Sequence, residues 1–278
     1  MTDPVPAVAE AAATGETARI FADIRAVLGV EVVNLIWRHL AIFPGALPWA
    51  WEGLRPLYAD GTLAAEAARL HRDLQLPPLP RLSPEVLTCA GLNEPDLATI
   101  GNVLSAYNRT NAMALLALSA LLVRLSGEQT EGGAGAASPG GAGAEAGQIP
   151  LPKLLAMDEM APATAQLVLA LNRLGAQRDD PILASMYRHL AHWPSYLALA
   201  WTLVAPLQAD GRLDGAIREA VTKARDRAAG IAGQVRSSTS VPSDPETAAA
   251  IRAAIDAFAG DVIVRMVVIC ALLRAATP

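Results

Sequence analysis

Trp37-Arg38-His39-Leu40-Ala41, Phe43-Pro44-Gly45, Ala50-Trp51, Pro56-Leu57 and Ala59-Asp60-Gly61 mark one stretch of this 278-residue chain. The stretch returns downstream as Tyr187-Arg188-His189-Leu190-Ala191, Trp193-Pro194, Ala200-Trp201, Pro206-Leu207 and Ala209-Asp210-Gly211. The offset is 150 residues throughout, with no gap, and 14 of the 28 positions in 36–63 match those in 186–213. An internal repeat sets the architecture that follows from it. Two copies predict a duplicated domain, not a solenoid.

Working outward from both copies, apolar residues recur at helical spacing. In repeat 1 the spacing predicts helices over 17–28, 31–43, 47–58 and 62–74, with Pro56 inside the third. Ser83-Pro84-Glu85 opens another, with Ser as cap and Pro at the first helical position. Glu94-Pro95-Asp96 opens a long helix through Tyr107 and Asn111 to Leu125. Residues 127–149 then become Gly-, Ala-, Ser- and Glu-rich, which predicts a disordered linker. Repeat 2 predicts helices over 163–174, 182–193, 196–208 and 213–234, and Asp244-Pro245-Glu246 opens a last long segment. No stretch alternates as a strand would. The expectation is an all-α fold: a flexible N-terminus (1–16), helical repeat 1 (17–126), the linker, and helical repeat 2 (150–278), the repeats packed as a pseudo-two-fold dimer within one chain.

Composition narrows the function classes. Hydrophobic residues make up 53% but aromatics only 4%, so the surplus is aliphatic and helix-forming. The net charge of −5 argues against nucleic acid and anionic membranes as partners. The longest apolar runs are too short to span a bilayer. The N-terminus lacks the basic start and apolar run of a secretory signal. A cytoplasmic location is the default, and a homodimer is compatible with it. Cys89 and Cys270 form no metal or redox spacing, and the expectation is two buried free thiols.

Generic catalytic motifs are absent: no phosphate loop, no H-E-x-x-H, no G-x-S-x-G. No metal or cofactor is implied. His39 and His189 are repeat equivalents, each following an arginine, and carbonyl-bonded histidines are the plain reading. Arg38 and Arg188 interrupt apolar helices, so each must be paired, with Asp60 or Asp210 for example, or hold a substrate carboxylate. Asn108 and Asn111 sit mid-helix, where Asn is unfavourable because its side chain competes for the backbone, and mark a polar spot on a mostly buried helix. Asp261 and Arg265, four apart, read as an ion pair.

With Asp23-Ile24-Arg25, Arg38, Leu40-Ala41, Phe43-Pro44-Gly45, Ala50-Trp51, Tyr107-Asn108, Asn111, Ala191 and Trp193-Pro194 in this order, the chain resembles the group I 2-haloacid dehalogenases (the DehI type). The resemblance implies an all-α pseudo-dimer with its active site between the repeats. It implies hydrolysis of a small 2-halocarboxylic acid by direct attack of water on C2, without an ester intermediate. The family asparagine falls on Asn111. The water-activating aspartate falls on Met186, with Ser185 before it and Tyr187 after it. Family aromatics fall on Val32, Leu35 and Phe258. Together with Tyr107 these are the implied substrate-lining positions.

A thioether accepts no proton at neutral pH, so Met186 cannot be a general base. Asp180 and His189 are the candidates, and Asp261 a third if unpaired. Two readings stand: a 2-haloacid hydrolase, and a helical small-acid-binding relative that has lost the chemistry. A redox enzyme would need a paired thiol, which the two cysteines do not supply.

Overall fold

The computed structural model describes residues 5–127, 151–236 and 244–278. Apart from Gly127, the expected linker lies outside the described residues. Among those described, the regular structure is entirely helical.

Helix α1 (Gly15–Leu28) turns Ile20, Phe21, Ile24 and Leu28 inward and stops at Gly29, whose φ of 62° needs no Cβ penalty. It packs on α3 (Ala46–Ala59) after the single-turn-plus α2 (Leu35–Leu40). Helix α4 (Thr62–Asp73) and α5 (Pro84–Cys89) follow. Helix α6 (Glu94–Ser126) is the axis of the molecule, and α4 packs along it. Asn93 and Asp96 close a reciprocal capping box at its start, at 2.9 and 3.1 Å. Every residue from 110 to 121 is buried. A helix buried all round must be enclosed by others.

The second half supplies α7 (Pro162–Arg173), α8 (Ser185–Leu190), α9 (Pro194–Ala209), α10 (Arg212–Ala232), α11 (Pro245–Ala257) and α12 (Val264–Ala276), of which α8, α10, α11 and α12 join α4 around α6. Helices α10 and α12 pack along α6. A π-helical turn, Phe258–Ile263, joins α11 to α12. Such turns insert a residue into the ladder and are common at functional sites.

Four expectations change. Helices α2 and α8 are shorter than periodicity suggests, because 31–34 and 181–184 run as loops. In the second loop, Asn172 takes the backbone: its amide donates to the carbonyls of Pro181 and Ile182 and accepts from Ala184 N. Residues 5–13, within the expected flexible N-terminus, make specific contacts with the rest of the chain. Val8 N donates to Arg38 O at 3.0 Å, His39 Nδ1 donates to Pro6 O, and Glu10 pairs with Arg25 and accepts from Val33 N. Cys89 is exposed, since short α5 turns only Leu87 inward. Arg188 does not reach Asp210: its Nε donates to Leu155 O at 2.7 Å, and Asp210 pairs with Arg212.

The repeated stretch is housed differently in its two copies. Trp51 is buried, edge-on to Trp37 at 5.4 Å, and donates to Asp23. Trp201, its partner in sequence, is 36% exposed.

Candidate active site

A cavity of about 350 Å³ opens among five segments. They are the loop before α2 with α2 itself, one face of α6, residues 151–154, the loop into α8 with α8 itself, and the π turn with the start of α12. Residues on both sides of the undescribed 128–150 segment therefore share one wall. The floor is apolar: Ile36, Met186, Phe258, Val262 and Met266 are each less than a tenth exposed. Among the described residues, charge on the wall is confined to half-buried Arg38 and to exposed Glu31 and Lys153.

The polar groups of the wall come from α6 and α8. Tyr107, Thr110 and Asn111 share one face of α6 because residues three and four apart are neighbours on a helix. Ser185, Met186 and His189 line the wall from α8 by the same spacing. The Tyr107 hydroxyl lies 2.8 Å from His189 Nδ1, with the rings 5.6 Å apart. Ser185 is a further polar neighbour of that hydroxyl. Burial, then the positive charge of Arg188, lowers the His189 pKa to about 4, so its imidazole is neutral at pH 7. Burial also pushes the Tyr107 phenol well above its ordinary value.

Behind them lies a sulfur contact. Cys270 Sγ is 3.1 Å from Met186 Sδ, and Asn111 Nδ2 approaches the same thiol at 3.9 Å. Burial raises the Cys270 pKa to about 12, so the thiol stays protonated.

Of the sequence candidates, Val32, Leu35, Tyr107, Asn111, Ser185, Met186, His189 and Phe258 all line the cavity. Two do not. Asp180 is exposed in the loop before α8 and lies off the wall. Tyr187 is fully buried behind α8, and its hydroxyl has no hydrogen-bond partner among the described residues. Asp261 is no spare base: its carboxylate is 3.1 Å from Arg265 Nε and accepts from Gln177 N. Arg265, wholly buried, also donates to the carbonyls of Asn172 and Leu174. His39, His71 and His192 each bond a backbone carbonyl, so among the four histidines His189 differs in facing a phenol.

Sequence reading missed Thr110, Lys153, Cys270 and the π turn. Thr110 was reachable from the spacing of Tyr107 and Asn111. The others arrive by long-range packing and carry no local signal. Among the described residues, no three His, Cys, Asp or Glu side chains gather as a metal site, and no helix is long and apolar enough to cross a membrane.

Fold and cavity thus define an all-helical protein with an apolar small-molecule site whose few polar groups converge from α6 and α8. No protein-family profile matches the chain. A configuration-inverting 2-haloacid dehalogenase of Alcaligenes xylosoxydans xylosoxydans is 32% identical over 241 residues, 84% of this chain and 80% of that protein. The crystal structure of a D-2-haloacid dehalogenase mutant superposes with a TM-score of 0.72 over 98% of this chain and 94% of the other, at 19% identity. A second, of a D-2-haloacid dehalogenase mutant in complex with D-2-CPA, gives 0.68 over 99% and 98%, also at 19% identity. The structural likenesses establish a shared fold. The sequence relationship establishes that the chain belongs to the 2-haloacid dehalogenase family.

Proposed function

We propose that this chain is a cytoplasmic hydrolase of 2-halocarboxylic acids that works by direct displacement, with a homodimer as one available assembly. Water attacks C2, the new C–O bond forms as the carbon–halogen bond breaks, and halide leaves with the bonding pair. The proton passes to His189 and then to solvent. Asn111 positions the water or the leaving group with its amide. Arg38 and Lys153, the latter also paired with Glu159, offer positive charge to the carboxylate at the rim.

The observation that carries this reading is that Asn111 and His189 line the same cavity although they come from different halves of the chain. For His189 to accept a proton at Nε2, Nδ1–H must donate to the Tyr107 oxygen, and the 2.8 Å contact accommodates that tautomer. A neutral imidazole is always available above pH 5, although its low pKa makes it a weak base. Purified protein incubated with each enantiomer of 2-chloropropanoate should release chloride, and Asn111→Ala should release at least tenfold less. No chloride above buffer from either enantiomer overturns the proposal.

One observation favours a binding protein without turnover: among the described residues, the only carboxylate on the cavity wall is exposed Glu31. Saturable binding of 2-halo acids with no halide release would decide for that reading.

A further inference from the structure

We infer that the preferred ligands are 2-substituted acids with a medium-length apolar tail, about six to eight carbons, not the smallest members of the class. This rests on the reading of the cavity as a 2-halo-acid site and adds the part of the ligand beyond C2.

Volume gives the first argument. A dry cavity of about 150 Å³ already accepts benzene. A 2-halopropanoate has as many non-hydrogen atoms as benzene, so it fills less than half of the 350 Å³ present here. The remainder must be filled by ligand or by water, and water needs polar partners.

The distribution of polarity gives the second. Among the described residues, charged groups of the wall stand at the rim, where Glu31 and Lys153 are exposed and Arg38 is half-buried. The floor offers Met186, Met266, Val262 and Phe258, all buried, with no ionised group among them. Water in that part of the cavity finds few hydrogen-bond partners, whereas a hydrocarbon tail gains by leaving solvent. Two methionines and the adjoining π turn give a wall that adapts to tail shape. A carboxylate held at the rim therefore directs an apolar chain inward past the Asn111–His189 pair.

The test uses calorimetric titration of the purified protein with propanoate, butanoate, hexanoate and octanoate, alongside bromide release from the matching 2-bromo acids. Each added methylene should tighten binding about fourfold up to hexanoate, roughly sixtyfold over three methylenes. The kcat/KM for bromide release should rise in parallel. Val32→Trp, at an exposed loop position on the wall, should cut the hexanoate-to-propanoate affinity ratio below tenfold. Affinity that is flat or falls with chain length overturns the inference, and bromide release from 2-bromopropanoate would then still uphold the hydrolase reading. Graded binding with no bromide from any acid upholds the tail site and removes the hydrolase reading instead.

Discussion

Tyr107 and His189 meet across the cavity, hydroxyl to Nδ1 at 2.8 Å, and tie α6 to α8 where the two halves of the chain share a wall. The contact fixes the imidazole ring and, through Nδ1, decides what Nε2 can do. Tyr107→Phe removes it at small steric cost. Halide release should drop about tenfold or more, while stability falls by only about 1 kcal/mol, the worth of one hydrogen bond. Steady-state kinetics with urea unfolding checks both, and an unchanged kcat would remove the pair from the mechanism.

The low His189 pKa predicts two pH effects. The folded value, about 4, lies below the ordinary value near 6.5, so the unfolded chain binds more protons between these limits. Stability contributed by this group is therefore fully present above about pH 6.5 and is lost as pH falls through 4, by up to about 3 kcal/mol. Activity that uses neutral His189 should likewise hold level from pH 6 upward and fall below about pH 5. Urea titrations at pH 4.5 and 7 should show a smaller difference for His189→Asn than for the unaltered chain.

Met186 occupies the position where the family resemblance places a water-activating aspartate, and it is wholly buried against Cys270. Met186→Asp should raise halide release at least tenfold and cost roughly 2–4 kcal/mol in stability, since a carboxylate enters an apolar floor. A folded variant with no gain would show that residue 186 does not face the attacking water.

Arg265 holds Asp261 and the carbonyls of Asn172 and Leu174, and Asn172 in turn shapes the loop into α8. Arg265→Ala leaves a buried carboxylate unpaired and should cost about 3–5 kcal/mol. Replacing both partners, with Asp261→Leu and Arg265→Met, should restore a large part of that loss. Equal losses in the single and double variants would contradict the assignment.

The helices were largely legible because amphipathic spacing and caps such as Asn93–Asp96 are local. The exceptions have local causes that spacing does not show. Apolar residues continue at 32–33 and 182–184, yet 31–34 and 181–184 are loops, and both line the cavity or lead into it. The repeated stretch predicts related surroundings for Trp51 and Trp201, but only Trp51 finds a partner, in Asp23. On α6 and α8 the site could be read from three- and four-residue spacing. Cys270 beside Asn111 could not, since 159 residues separate them. Asp180 looked available because it precedes α8, but the Asn172-held loop leaves it in solvent.

In the proposed reaction, water displaces halide directly at C2 beside Asn111 and His189. Each resolved enantiomer of 2-bromopropanoate should be turned over in excess, with bromide counted and the configuration of the 2-hydroxy product determined. Direct displacement should give stoichiometric bromide and an inverted centre. Product of retained configuration, or no bromide at all, would contradict it.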